Sequence, residues 1–415
     1  MFKKSVYIIL IQIIGIILGF ISVFFVAGDM NPEVYAIVGI FQIVSGLSLV
    51  LTGWGLETVL TREALYWNKK GDIDKVKEYT TQALLSKLIS GILVVPLMIL
   101  YLMLMNIIKY NGQYTGLFFC LAIGAISNVL IDSMRNIVRS DGGYVFVQVM
   151  STLNTTILKS FGIILYFNFG ALVYLYFYVF SSLPILIAFA IRCKNNIDFK
   201  YIQVYPMFLK IWGARYLWMK ADLEYIRANV DGLLVSILFP AEIMGAYSIY
   251  KSLEQMMQNF IEGFFDVLSQ HTVQYKGDVD ALANQEKKIK IARNICILAI
   301  LLGILIYIPR MNWWIRMANL SKYDGMEWLV LCVAIGGIMY LWGKYEINAI
   351  LFLAESKMTF LISAINAMVA IATYVIILFY STIEAVIMQR LINYFIASLI
   401  AIIFFRKNRN KIYSK

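Results

Sequence analysis

The sequence is short of charge. Charged residues make up 15% of its 415 positions and hydrophobic residues 61%, whereas a soluble globular chain is roughly 45–50% apolar and about 25% charged. A chain of this length cannot bury that much apolar surface in water. The composition therefore excludes a soluble enzyme, a disordered chain and a fibrous protein. Histidine is almost missing. His271 stands alone, which rules out multi-histidine metal chemistry and reads as a cap or interface residue at the inner end of an apolar run. Four cysteines, Cys120, Cys193, Cys296 and Cys332, are scattered without metal-ligand spacing, so neither a disulfide framework nor a zinc site is read. Cys193, between Arg192 and Lys194, is placed in a cytoplasmic loop, and the other three in apolar core. No Walker-type glycine loop occurs, so ATP hydrolysis by that route is not expected, and no cofactor is.

What the sequence does have is apolar runs. They fall at about 6–27, 34–60, 82–106, 114–134, 145–168, 170–191, 211–239, 242–270, 291–309, 326–353, 358–379 and 383–405. Backbone in lipid must satisfy its own hydrogen bonds, so each run reads as a membrane helix of about 20 residues. The first is too long, and too poor in small residues at its end, for a cleaved leader. The expected fold is thus all-α and polytopic, with twelve transmembrane helices. With the N-terminus inside, the inner segments carry 24 Lys and Arg. The outer loops carry four: Lys109, Arg310, Arg316 and Lys322. That bias places both termini in the cytoplasm. Topogenesis and attraction to anionic lipid account for the net charge of +11, so no nucleic-acid partner is inferred. Trp313, Trp314 and Trp328, in and beside the longest outer loop, read as an interfacial aromatic belt.

An internal repeat organises the chain. Asn31-Pro32-Glu33-Val34-Tyr35-Ala36 parallels Pro240-Ala241-Glu242-Ile243-Met244-Gly245-Ala246, and each following helix runs into a basic inner loop with Gly-Asp, at Gly71-Asp72 and Gly277-Asp278. Both halves start inside, so the repeat is parallel, as in transporters built from two such halves. The expected domains are a six-helix bundle over 1–191, a cytoplasmic linker over 192–210, a second six-helix bundle over 211–405 and a basic tail over 406–415.

Eight cations fall inside the spans: Lys87, Lys159, Arg215, Lys220, Arg227, Lys251, Lys344 and Arg390. Lys87 and Arg215 lie near inner ends, where they can snorkel. For the others, a charge at mid-bilayer costs about 2.5–3.5 kcal/mol even on a lenient scale, so they are expected to face a water-filled cavity or an ionic partner. In the span 242–270, Tyr247, Lys251, Glu254, Gln255, Gln258, Glu262 and Asp266 form one polar stripe. In the span 211–239, Lys220, Glu224, Arg227 and Asp231 share a face and can pair within the helix. Lys159 shares a face with Gln148, Thr152, Thr155 and Thr156, Lys344 with Tyr340 and Asn348, and Arg390 has Asn393 nearby. A lumen lined by Lys251, Arg227, Lys159, Lys344, Arg390 and Lys220 suits an anionic, phosphate-bearing substrate. Glu254, Glu262, Asp266, Asp231 and Glu224 are candidates for coupling to a proton or sodium gradient.

Two stretches carry a family resemblance. Asn31 to Ala36, Gly53-Trp54-Gly55-Leu56-Glu57-Thr58 and Thr61-Arg62-Glu63 resemble the start of bacterial polysaccharide exporters of the flippase type. Asn229-Val230-Asp231-Gly232, Phe239-Pro240-Ala241-Glu242 and Gly245-Ala246-Tyr247-Ser248 are similar to that family's second half. Ala36 stands where the family often has glycine. Lys251 and Glu254 align with a basic and an acidic position of the more distant lipid II flippases. The wider group is the multidrug/oligosaccharidyl-lipid/polysaccharide exporter superfamily. The resemblance implies a V-shaped transporter of the bacterial inner membrane, not an enzyme. By alternating access it would flip an undecaprenyl-pyrophosphate-linked oligosaccharide, an O-antigen or capsule repeat unit, to the outer leaflet. It also makes Arg62 a cytoplasmic gate candidate, and the partners would be membrane lipid and the pathway's polymerase and glycosyltransferases. The alternatives are an ion-coupled multidrug exporter of the same superfamily and, further off, a membrane polysaccharide polymerase or ligase, which would need a larger outer loop. A major-facilitator carrier is disfavoured, because its glycine-rich basic signature is absent from 61–81.

Overall fold

A computed structural model describes the chain except for residues 1, 55–63, 65, 66, 69, 142, 214, 274, 276, 277, 324, 325, 381, 414 and 415. At further positions, among them Lys159, Asp266 and His271, it describes the backbone alone. No β-strand occurs among the described residues. The helices are α1 (Phe2–Asp29), α2 (Pro32–Leu51), α3 (Ile73–Tyr110), α4 (Thr115–Ser140), α5 (Tyr144–Thr152), α6 (Leu158–Phe169), α7 (Ala171–Phe180), α8 (Ser182–Cys193) and α9 (Val204–Gly213). Then follow α10 (Arg215–Leu238), α11 (Ala241–Val273), α12 (Val279–Tyr307), α13 (Met311–Met317), α14 (Met326–Trp342), α15 (Lys344–Leu353), α16 (Ser356–Tyr380) and α17 (Ile383–Tyr413).

Each expected span holds helix, but the described residues include seven helices long and apolar enough to cross a membrane, or eight if α14 and α15 form one span bent by 48°. The chain is thus an all-helical, multi-pass membrane protein. Three details depart from the hydropathy reading. The span 34–60 is helical only to Leu51 before it enters residues outside the described set, which include Arg62. The span 145–168 contains a π-turn over Leu153–Ile157, between α5 and α6. The span 326–353 breaks at Gly343, where an added Cβ would lie 2.7 Å from Ser398 Cα on α17.

Packing groups the residues into two compact units, 37–225 and 1–36 with 226–415. The division expected from sequence puts α1 with the first half; its contacts lie with the second, along α11. The reasons are local. The orphan carbonyls at the end of α1 need donors, and the loop after α13 supplies them. Asn319 Nδ2 donates to Gly28 O at 2.7 Å, Tyr323 Oη to Ala27 O at 3.1 Å and Lys322 Nζ to Met30 O at 2.6 Å. The start of α2 also lies close to α11 here. A Cβ on Gly245 would sit 2.4 Å from Pro32 O, so only glycine allows α11 so close to the start of α2.

Two helix starts are capped in the same way. Asp72 accepts a hydrogen bond from the Lys75 N–H at 3.1 Å, and Asp278 accepts one from the Ala281 N–H at 3.0 Å. Each is the N-cap of the helix that follows, and each satisfies one orphan donor. In the 37–225 unit, Ala83, Ile131, Ile137, Val147, Ile185 and Phe189 form a core that also takes Met207 and Ile211 of α9. Cys193 belongs to this core too. It is fully buried and its thiol faces Met134 O at 3.5 Å, which corrects its placement in a loop.

Candidate functional site

The polar stripe of α11 does not face one open surface. Its upper part is closed around Arg390 of α17. The guanidinium donates from Nε to Glu254 Oε1 at 2.7 Å and from Nη2 to Glu254 Oε2 at 2.5 Å, a bidentate pair. Its Nη1 donates to Asp231 Oδ2 of α10 at 2.5 Å. Three phenols complete the cage. Tyr247 Oη donates to Asp231 Oδ2 at 3.0 Å, while Tyr394 and Tyr250 donate to Glu254 Oε1 at 2.7 and 3.3 Å. Asp231, Glu254 and Arg390 are 0%, 4% and 4% exposed. Burying two carboxylates needs cations beside them; Arg390 serves both, and the trio keeps one net negative charge. Asp231 Oδ1 has no hydrogen-bond partner among the described residues.

Lys251 stands at the margin of this cage. Its Nζ is 3.3 Å from Glu254 Oε2, which Arg390 already holds at 2.5 Å, and its side chain keeps some exposure. The cluster therefore contains one deeply held cation and one peripheral cation on the same carboxylate. A small space of about 10 Å³, room for about one water, lies beside Glu254 among Tyr250, Met257, Gln258, Gly337, Tyr340 and Tyr394. Gln258 Nε2 donates to Tyr394 Oη at 2.5 Å.

A second polar group sits further along α11. Tyr340 Oη donates to Glu262 Oε1 at 2.7 Å and receives Lys344 Nζ at 3.1 Å; Lys344 and Glu262 are 4.0 Å apart. Lys344 opens α15 just after the break at Gly343, so the bend carries it there. A cation at a helix start opposes the macrodipole, and Glu262 offsets it.

The other expected site residues are placed as follows. Lys220 and Glu224 pair along α10 at 3.0 Å, as their spacing predicts. Arg227 is half-buried on α10, and its Nε has no hydrogen-bond partner among the described residues. The side chains of Lys159 and Asp266, and all of Arg62, lie outside the described residues, although the π-turn directly precedes α6 and Lys159. Lys87 departs from expectation. It is 2% exposed and does not snorkel; Nζ reaches Leu49 O and Thr52 Oγ1, both at 3.3 Å, at the end of α2.

Sequence reasoning missed two groups. It did not name Tyr250 and Tyr394 as ligands of Glu254, although Tyr250 lies one turn before it. It also missed a cluster in which Glu286 binds Lys290 Nζ at 2.7 Å, Arg409 Nη2 at 2.9 Å and the Tyr413 hydroxyl at 2.9 Å. Buried Glu346 meets Lys290 at 3.2 Å in the same cluster. The basic tail is therefore helical to Tyr413 and docked on α12.

No family model matches the chain, and no curated protein matches it in sequence. Solved structures do. Over 99% of its length the chain matches an inward-facing multidrug resistance MATE family transporter of the MOP superfamily, at 14% identity and TM-score 0.70, covering 98% of that chain. An outward-facing multidrug resistance MATE transporter matches 100% of it at 14% identity and TM-score 0.67, with 97% of that chain covered. A MATE structure in complex with MaD3S matches 100% at 13% identity and TM-score 0.66, with 96% covered. At these identities the likeness establishes the fold.

Proposed function

We propose that the chain is an alternating-access transporter that moves a lipid-linked, pyrophosphate-bearing oligosaccharide from the cytoplasmic to the outer leaflet. It crosses the membrane twelve times in two six-helix halves, with both termini inside. Reporter fusions at residues 110 and 415 then report opposite sides, and a shared side would overturn the topology. The substrate class rests on the sequence resemblance. The observation that carries the mechanism is the pairing at Glu254. Arg390 holds this carboxylate through two short bonds, so Glu254 keeps a cation when Lys251 turns toward an anionic group. The substrate pyrophosphate supplies such a group, and the contact is charge-assisted.

A second reading has its own support. The structural neighbours are multidrug MATE transporters, and the buried carboxylates Asp231 and Glu254 could couple such an exporter to an ion gradient. Purified protein in lipid vesicles separates the two. The first reading expects translocation of a fluorescent polyprenyl-pyrophosphate oligosaccharide and no gradient-driven efflux of a cationic dye. Dye efflux without lipid translocation would replace it with the second.

A further inference from the structure

The segment that joins α8 to α10 carries an apolar surface that its own unit does not use. In α9, Met207 and Ile211 are buried in the core of the 37–225 unit. Val204, Tyr205, Phe208, Leu209 and Trp212 are exposed, Tyr205 by 74% and Trp212 by 69%. At about 100° per residue, these five fall within one arc of about 140°, next to the buried pair and turned away from it. Phe199 and Ile202, just before the helix, are exposed as well. The helix is thus apolar on two faces: one is packed in the core, and the other is largely exposed, with the Phe208 ring 6.2 Å from that of Trp54.

Its fastenings fix its level. Lys210 Nζ pairs with Glu78 Oε1 at 2.7 Å and stands over the Tyr79 ring at 4.0 Å. Lys200 Nζ and Tyr201 Oη reach Asp74 Oδ1 at 3.3 and 3.2 Å. The Asp198 N–H donates to Thr81 Oγ1 at 3.0 Å, and Thr80 Oγ1 donates to Asn196 O. All these partners lie in the first turns of α3, just before its apolar run begins at about 82. A helix rises about 1.5 Å per residue, so they sit within roughly 12 Å of the start of that run. The chain also enters the segment from the end of the apolar helix α8 and leaves it into the polar first half of α10, which carries Arg215, Lys220, Asp222, Glu224 and Arg227 before its apolar stretch over Asn229–Leu238. Both constraints hold the segment at the bilayer surface, where Trp and Tyr concentrate. Residues 192–215 carry Arg192, Lys194, Lys200, Lys210 and Arg215 against a single acid, Asp198.

We infer that the 199–213 segment is an in-plane interfacial anchor. Its outer face is seated among the phospholipids of the cytoplasmic leaflet, and Lys194 and Arg215 at its two ends lie at the level of the headgroup phosphates. The assignment to the cytoplasmic leaflet rests on the proposed orientation; the contact with lipid does not. The occupant is a bilayer because the segment continues from the end of the apolar helix α8, its fastenings lie just before the apolar run of α3, and its flanking charge complements an anionic surface.

Spin labels test this in the full chain, with the native cysteines replaced, in vesicles of phosphatidylethanolamine and phosphatidylglycerol. Labels at Tyr205, Phe208 and Trp212 should collide more with oxygen than with a water-soluble nickel chelate. A label at exposed Asp280 should show the reverse. Nickel-dominated collisions at all three sites would mean that the face meets water, and low collision with both reagents would mean that protein covers it. Either result overturns the proposal. The unlabelled chain gives a second measurement that needs no cysteine replacement. Shallow brominated lipids should quench more of the native fluorescence than that of Trp212→Phe, and equal quenching would count against the anchor.

Discussion

Each compact unit buries a cation, and the two are held in opposite ways. Lys87 in the 37–225 unit is bound by neutral acceptors, Leu49 O and Thr52 Oγ1, where α2 ends and its carbonyls lack intrahelical donors. The negative end of the helix dipole favours an ammonium there. Arg390 is bound by two carboxylates from two other helices, with three tyrosines around them. The first arrangement closes a helix end. The second gathers opposite charges whose pairing can be exchanged, and it places a second cation, Lys251, within reach of the same carboxylate. A buried cation is therefore not functional by burial alone; what neutralises it decides.

The comparison can be broken by substitution. The largest effect is expected at Arg390. Arg390→Met leaves Asp231 buried without its cation and Glu254 with Lys251 alone, and should cost about 3–5 kcal/mol, seen as loss of folded protein in a detergent melting assay. Gly245→Ala forces a Cβ against Pro32 O, and by overpacking should cost about 1–3 kcal/mol in the same assay. Lys87→Met removes the hydrogen bonds to Leu49 O and Thr52 Oγ1, and a smaller loss of about 1–2 kcal/mol is expected. If Lys87→Met costs as much as Arg390→Met, the distinction between the two cations fails. The smallest effects are the N-caps. Asp72→Ala and Asp278→Ala should each cost about 1 kcal/mol, and unequal losses would argue against equivalent roles for the two repeats.

Much of this was legible in the sequence and some could not be. Hydropathy located the helices, because lipid enforces helical backbone wherever an apolar run is long enough. The Gly-Asp pairs marked the helix starts at Asp72 and Asp278, since a short acidic side chain before a helix can reach its free N–H groups. Helical spacing gave Lys220 with Glu224 and Lys251 with Glu254. It could not give Arg390, whose partners stand 136 and 159 residues away. It also misled at Lys87, because a lysine near a helix end can snorkel outward or turn inward, and only the neighbouring helix end decides. The break at Gly343 that delivers Lys344 to Glu262 depends on a close approach to Ser398, again a tertiary fact.

The central claim is a division of labour on Glu254, with Arg390 holding the carboxylate and Lys251 serving the substrate. Glu254→Ala is a poor test, because it also strips Arg390 of its bidentate partner. The direct test varies Lys251 alone and compares native protein, Lys251→Arg and Lys251→Met in vesicles at matched folded amount. The readout is the initial rate of translocation of a fluorescent polyprenyl-pyrophosphate oligosaccharide. A charge-assisted contact is worth about 1.5–3 kcal/mol, so Lys251→Met should slow translocation by about 10–100-fold while its melting temperature stays close to native. Lys251→Arg should keep part of the rate, since the charge remains while hydration and geometry change. Native translocation by Lys251→Met, or a melting loss as large as that of Arg390→Met, would contradict the account.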